Sequence, residues 1–205
     1  MSLTRRLAAA VLALAAAGCA TGPAGPAGEG PAVPIPVDRA VALAGFDDWR
    51  AAGRVAVRTA VDGWSASFDW RETGFRSELA VRGPFGAGGA RIVRTADRIT
   101  LETGDDPPVE VPAPFAALDG ALVERLGFPL PVEYLRWWLA GVPAPGLPST
   151  PVADGFEQAG WSVRPQELGG VAGAPAALPK RVVLEREDTR IRVAIDRWVP
   201  APTDP

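Results

Sequence analysis

Few residues in this chain could do chemistry. Histidine is absent, which removes imidazole bases, imidazole metal ligands and any nucleophile–His pair at once. Lys180 is the only lysine and Cys19 the only cysteine, so no internal disulfide can form. Carboxylates remain, but two-carboxylate hydrolysis needs an acidic pair facing across a cleft. The acidic residues here fall mostly where a solvated sheet face would put them. The composition favours binding over catalysis: no catalytic set, no metal site and no cofactor are expected, with carboxylate chemistry left open. The net charge is −3 and the cations are spread without a basic block, which argues against nucleic acid as a partner.

Cys19 is the one reactive side chain with a telling position. Arg5 and Arg6 precede a short apolar run, Leu7 to Ala17, which has the size of a signal-peptide core and is too short to span a bilayer. The run ends in Ala16-Ala17-Gly18-Cys19. This string resembles the bacterial lipobox, although Ala16 stands where Leu is commoner. The resemblance implies a signal peptide over 1–18, cleavage before Cys19, and diacylglycerol and acyl groups on that cysteine. Three chains would anchor the protein far more firmly than a single one. Ala20 follows, not Asp, which by the enterobacterial sorting rule implies the outer membrane. Residues 19–37 form the lipidated N-terminus and a Gly/Pro/Ala-rich tether that cannot bury enough surface to fold alone. At about 3.1 Å per residue it reaches roughly 50 Å when extended.

The rest, residues 38–205, must supply the fold. Val55 and Val57 alternate with Arg54, Ala56 and Arg58, and Trp64, Ala66, Phe68 and Trp70 with Ser65, Ser67 and Asp69. The same period of two runs through Leu79 and Val81, Ile99 and Leu101, Val109 and Val111, Val182 and Leu184, and Ile191, Val193 and Ile195. Such alternation predicts strands with one apolar and one wet face. Phe115, Leu118, Leu122 and Leu126 carry a helical stripe that Gly127 would end. Pro131 is placed to open a second helix, on which Leu135, Trp138 and Leu139 share a face before Gly141 and Pro143 stop it. Val41 and Leu43 to Trp49 suggest a further short helix. The expected fold is mainly β with short helices: a curved antiparallel sheet, curling into a barrel or half-barrel, with the helices on its concave side. Periodicity alone leaves open whether Trp70, Trp138 and Trp161 fill a core or line a cavity.

Longer strings carry more information: Trp49 to Val57 (WRAAGRVAV), Trp64 to Trp70 (WSASFDW), Gly83-Pro84-Phe85-Gly86, Leu130 to Gly141 (LPVEYLRWWLAG) and Phe156 to Trp161 (FEQAGW). Their order and spacing, from about Phe46 to Val199, resemble the LolB family of outer-membrane lipoprotein receptors. The proline-led segment with its Leu-Arg-x-Trp core is the most specific. The resemblance implies a half-open β-barrel with a helical lid and an acyl-binding cavity, to which Trp70, Leu135, Trp138 and Trp161 are assigned. It implies a LolA-like periplasmic carrier, cargo lipoproteins and outer-membrane lipid as partners, and a monomer as the working form. It also gives the Pro84-Phe85-Gly86 loop a role in membrane insertion, with Phe85 where the family usually has Leu. Glycines and Pro84 favour a tight exposed turn, and an aromatic at its tip has nothing local to pack on.

Three other classes share parts of this pattern. They are a lipocalin-like lipoprotein for a small apolar ligand, a structural envelope lipoprotein with a filled core, and a two-carboxylate enzyme.

Overall fold

The computed structural model describes residues 37–83, 89–115 and 117–201. Eleven strands form one antiparallel sheet in the order β6-β5-β4-β3-β2-β1-β11-β10-β9-β8-β7. One meander runs outward through β1 (Trp49–Arg58), β2 (Gly63–Thr73), β3 (Arg76–Arg82), β4 (Gly89–Arg94), β5 (Arg98–Thr103) and β6 (Val109–Pro112). The chain then crosses to the far edge and returns through β7 (Ser149–Val152), β8 (Gly155–Gln158), β9 (Trp161–Gly169), β10 (Leu178–Arg186) and β11 (Thr189–Pro200). Only the β1–β11 pair joins strands that are not consecutive, from Trp49 opposite Pro200 to Arg58 opposite Arg190. The two edges, β6 and β7, stay apart, so the sheet is open. Each edge carries a proline, Pro112 and Pro151, which blunts it against pairing with another chain.

Alternation sorts the two faces. Val57, Phe68, Trp70, Leu79, Ile92, Ile191, Val193 and Ile195 are buried in one cluster, while the charged residues between them face water. The connection from β6 to β7 supplies the other wall. It contains α2 (Leu118–Leu126) and α3 (Leu135–Leu139), whose Leu118, Leu122, Leu135, Trp138 and Leu139 join the same cluster. Gly127, at φ 81°, ends α2 with its N–H on the Val123 carbonyl. The helix starts later than the stripe suggests, because Phe115 sits at φ 61°, outside the helical region. Pro131 opens a turn instead of the helix itself: its carbonyl accepts from Tyr134 and Leu135 N–H, and α3 is correspondingly short. The N-terminal helix is α1, Val37–Leu43, not a segment reaching Trp49. Trp49 is already in β1, paired with Glu72 and Pro200.

The central seam has one unusual contact. The β1–β11 register shifts between Ala52 and Gly53, and a Cβ on Gly53 would stand 2.0 Å from the Ala194 carbonyl oxygen. Only glycine lets the two backbones approach so closely. Gly53→Ala is therefore expected to destabilise the domain by about 2–4 kcal/mol. Urea unfolding of the two proteins measures it, and equal midpoints would contradict the packing of this seam.

Candidate functional site: an apolar cavity under a helical cover

An apolar cavity of about 70 Å³ lies between the inner face of the sheet and the α2–α3 segment. Six neighbouring strands reach it: β4 through Ala90 and Ile92, β3 through Leu79 and Val81, β2 through Phe68 and Trp70, β1 through Val55 and Val57, β11 through Ile191 and Val193, and β10 through Leu184. Neighbouring strands lie about 4.8 Å apart, so a flat sheet could not bring all six to one small space. The sheet is curled around it. The cover contributes Leu126, Phe128, Leu130, Leu135 and Leu139. Every lining residue is apolar, and Trp64 on the rim packs against Phe128 with ring centroids 5.9 Å apart.

Trp70 and Leu135 are among the lining residues. Trp138 and Trp161 lie beside the cavity, in a packed block with Phe156. Trp138 Nε1 donates to Gln158 Oε1 at 2.8 Å, and the same amide bonds the N–H and carbonyl of Ala144 and the carbonyl of Leu147. This buried glutamine satisfies the indole and pins the chain that follows α3. Cys19, Pro84, Phe85 and Gly86 lie outside the described residues; β3 ends at Arg82 and β4 begins at Gly89.

Two polar contacts hold α3 in place, and sequence reasoning found neither. At one end, Arg136 Nη1 meets the buried Glu72 carboxylate at 3.0 Å, and Arg94 reaches the same oxygen at 3.1 Å. Trp70 Nε1 donates to Glu72 Oε2 and to Ser77 Oγ. At the other end, Arg39 of α1 donates to the carbonyls of Ala140, Gly141 and Ala177. Those carbonyls at the helix terminus would otherwise be orphans. The alternation through Ala66, Phe68 and Trp70 runs on to Glu72 and places it inward, but nothing in the local sequence names the distant cations that meet it there. Arg136 did stand in the Leu-Arg-x-Trp string.

Burial raises the Glu72 carboxyl above its ordinary value of 4.5. A hydrogen bond from Ser77, the Arg136 and Arg94 charges and a bond from Trp70 pull it down without cancelling that effect. Ionising Glu72 is therefore less favourable in the folded chain than in the unfolded one.

The architecture is thus an open, curled antiparallel sheet whose apolar hollow is covered by short helices. The chain belongs to the LolB family: the family model described as outer membrane lipoprotein LolB matches residues 47–198. The family is one of lipoproteins, not of enzymes. Among its relatives, the outer-membrane lipoprotein LolB of Halorhodospira halophila is 37% identical, over 74% of this chain and 75% of its own. That of Nitrosococcus oceani is 33% identical over 78% and 81%. That of Alkalilimnicola ehrlichii is 33% identical over 97% and 98%. Among solved structures, a LolA superfamily protein from Nitrosomonas europaea aligns over 82% of this chain and 93% of its own, with 10% identity and a TM-score of 0.46. Among the described residues, no helix is long and apolar enough to cross a membrane.

The Glu72 shift sets a sign for pH dependence. Its folded value is raised, so its contribution to stability is fully present below 4.5 and is lost as pH rises through the folded value. Glu72→Gln is expected to be at least as stable as wild type at pH 7, with the difference shrinking on acidification towards 4.5. Chemical denaturation across that range checks it; a variant clearly weaker at pH 7 would mean that the arginines outweigh desolvation.

Proposed function

We propose that this protein receives lipoproteins from a LolA-like periplasmic carrier and releases them into the outer membrane, working as a monomer held by acyl and diacylglycerol groups on Cys19. Residues 1–18 are then the signal peptide and 19–37 the tether from which the domain hangs. The observation that carries this reading is the wholly apolar cavity beneath the α2–α3 cover, together with membership of the family. Each acyl methylene taken out of water is worth about 0.8 kcal/mol. No polar wall is needed to bind it, and no nucleotide is needed to move it.

The cavity volume sets a requirement. About 70 Å³ is well below the roughly 300–1,000 Å³ of ordinary ligand sites. Acyl chains therefore enter only as the cover lifts from the sheet. The Arg136–Glu72 contact must yield in that step, because it ties α3 to β2.

The test is transfer of a labelled lipoprotein from its complex with the carrier to the mature chain carrying Cys19→Ala, which removes the anchor. Wild-type cavity residues should support transfer. Ala90→Phe puts a ring into the space between β4 and the cover and should reduce transfer about tenfold or more, roughly 1.4 kcal/mol or above, while the domain stays folded. A chain that never takes cargo yet binds a small apolar dye would instead be a lipocalin-like binder.

Delivery should separate from acceptance at Phe85. A charge there is disfavoured in the bilayer, so Phe85→Glu should accept cargo normally and deliver it poorly to liposomes. Delivery equal to wild type would refute the role of this loop. Loss of the first stage in a folded variant would place Phe85 at the carrier-docking mouth.

A further inference from the structure

The rim of the cavity near Trp64 carries an unusual group of charges on its outer side. β1 and β2 are joined by a tight turn, Thr59 N–H to the Asp62 carbonyl at 2.8 Å, with Val61 at its tip 95% exposed. Trp64, just beyond the turn, is 38% exposed. On the outer face at the same strand ends, Arg58 stands directly opposite Arg190, and Ala56 opposite Arg192. Gly63 and Ser65 flank them on β2. These small residues leave a hollow of about 410 Å³ walled by Arg58, Arg190, Arg192 and Trp64.

Like charges directly opposite across a ladder are destabilising. Several other arginines of the sheet pair with acids, Arg50 with Asp69, Arg91 with Glu78 and Glu102, Arg98 with Glu110 and Arg181 with Glu167, while Arg71, Arg82, Arg186 and Arg197 are in no ion pair among the described residues. Here Arg190 has Glu185, which also serves Arg164. Among the described residues, Arg58 and Arg192 are in no ion pair. Asp62, the nearest acid in the turn, accepts from the Gly63 N–H. Glu187 and Asp188 stand in the adjoining β10–β11 turn, but the hollow itself is lined by three guanidinium groups and by no acid.

We propose that this corner docks on the bilayer surface, with Arg58, Arg190 and Arg192 on the phosphates of anionic phospholipids, Trp64 at the interface and Val61 dipping below it. Guanidinium groups bind phosphate oxygens bidentately, and Trp suits the headgroup level. One apolar tip beside a cationic hollow offers no broad apolar patch for a protein partner, so lipid is the occupant. Docking here sets the rim of the cavity against the membrane. The inference deepens the receptor reading and rests on it for the direction of cargo flow, although the lipid contact itself does not.

The test uses the mature chain carrying Cys19→Ala and vesicles of phosphatidylcholine with or without phosphatidylglycerol, followed by sedimentation. Binding should require phosphatidylglycerol and weaken with salt. Arg58→Gln and Arg192→Gln should each lower it about fivefold. The melting temperature of Arg58→Gln should hold or rise, because its repulsion with Arg190 is relieved, and that of Arg192→Gln should hold, because Arg192 is in no ion pair among the described residues, so lost binding cannot be blamed on unfolding. Acceptance of cargo from the carrier should be unchanged. Binding that ignores phosphatidylglycerol, or a double variant that binds like wild type, overturns the proposal. So does a double variant that keeps lipid binding but loses acceptance, which would make this corner a protein dock. If the wild type binds these vesicles but takes no cargo, the lipid contact stands and the receptor reading alone fails.

Discussion

An open sheet with an apolar inner face must be covered, and in this fold a single connection does the covering. The β6–β7 crossover passes over the hollow because its two ends attach to opposite edges of the sheet. Everything else follows from that constraint. The crossover must be apolar beneath, which explains Leu118, Leu122, Leu135 and Leu139. It must also be short of helix, because its path is set by distance across the sheet and not by helical propensity. A closed barrel would have no edges and would need no cover.

The cover is held in a way that suits removal. Its apolar underside contributes a diffuse attraction that any acyl chain could replace, since one hydrocarbon surface serves as well as another. Its position is set by a few directional contacts: Arg136 on Glu72, Arg39 on the carbonyls after α3, and Trp138 on Gln158. The first sets a carboxylate whose burial opposes its charge against two arginines. The Gln158 contacts are neutral and fully satisfied. On the proposed reading, α2 and the start of α3 are the part that lifts, with the Trp138–Gln158 end as the pivot.

Legibility in the sequence followed the same physics. Strands with one wet face announce themselves by alternation, so β1, β2, β3, β5, β6, β10 and β11 were readable. β4 was not, because Ile92 and Val93 are both buried; β7 is exposed up to Val152 and β8 nearly all buried. The helical stripe and its Gly127 stop were visible, while the left-handed Phe115 was not. Alternation also identifies inward residues without saying what they face. Trp70 and Trp138 read alike, yet one borders the cavity and the other lies in a solid block. The difference arises from where the crossover passes, which is tertiary. The partners of Glu72 were illegible for the same reason: it sits on the apolar side of its strand, where a carboxylate is tolerated only because Arg94, Arg136, Trp70 and Ser77 converge on it.

A receptor that binds apolar chains without consuming energy faces a conflict. Tight binding draws cargo from a carrier but hinders its release. A small resting cavity eases this conflict. Holding it open exposes Leu126, Phe128, Leu130 and the facing strand residues to water when no cargo is present, at about 25 cal/mol per Å² of apolar surface. Part of the gain from binding acyl chains is therefore spent on keeping the cover lifted, and closure recovers it on release. At a membrane surface the departing chains move from one hydrocarbon environment to another, so release there needs no exposure to water. On the proposed reading, the closing cover then favours the empty state, and the direction of transfer follows from where the rim of the cavity meets the membrane.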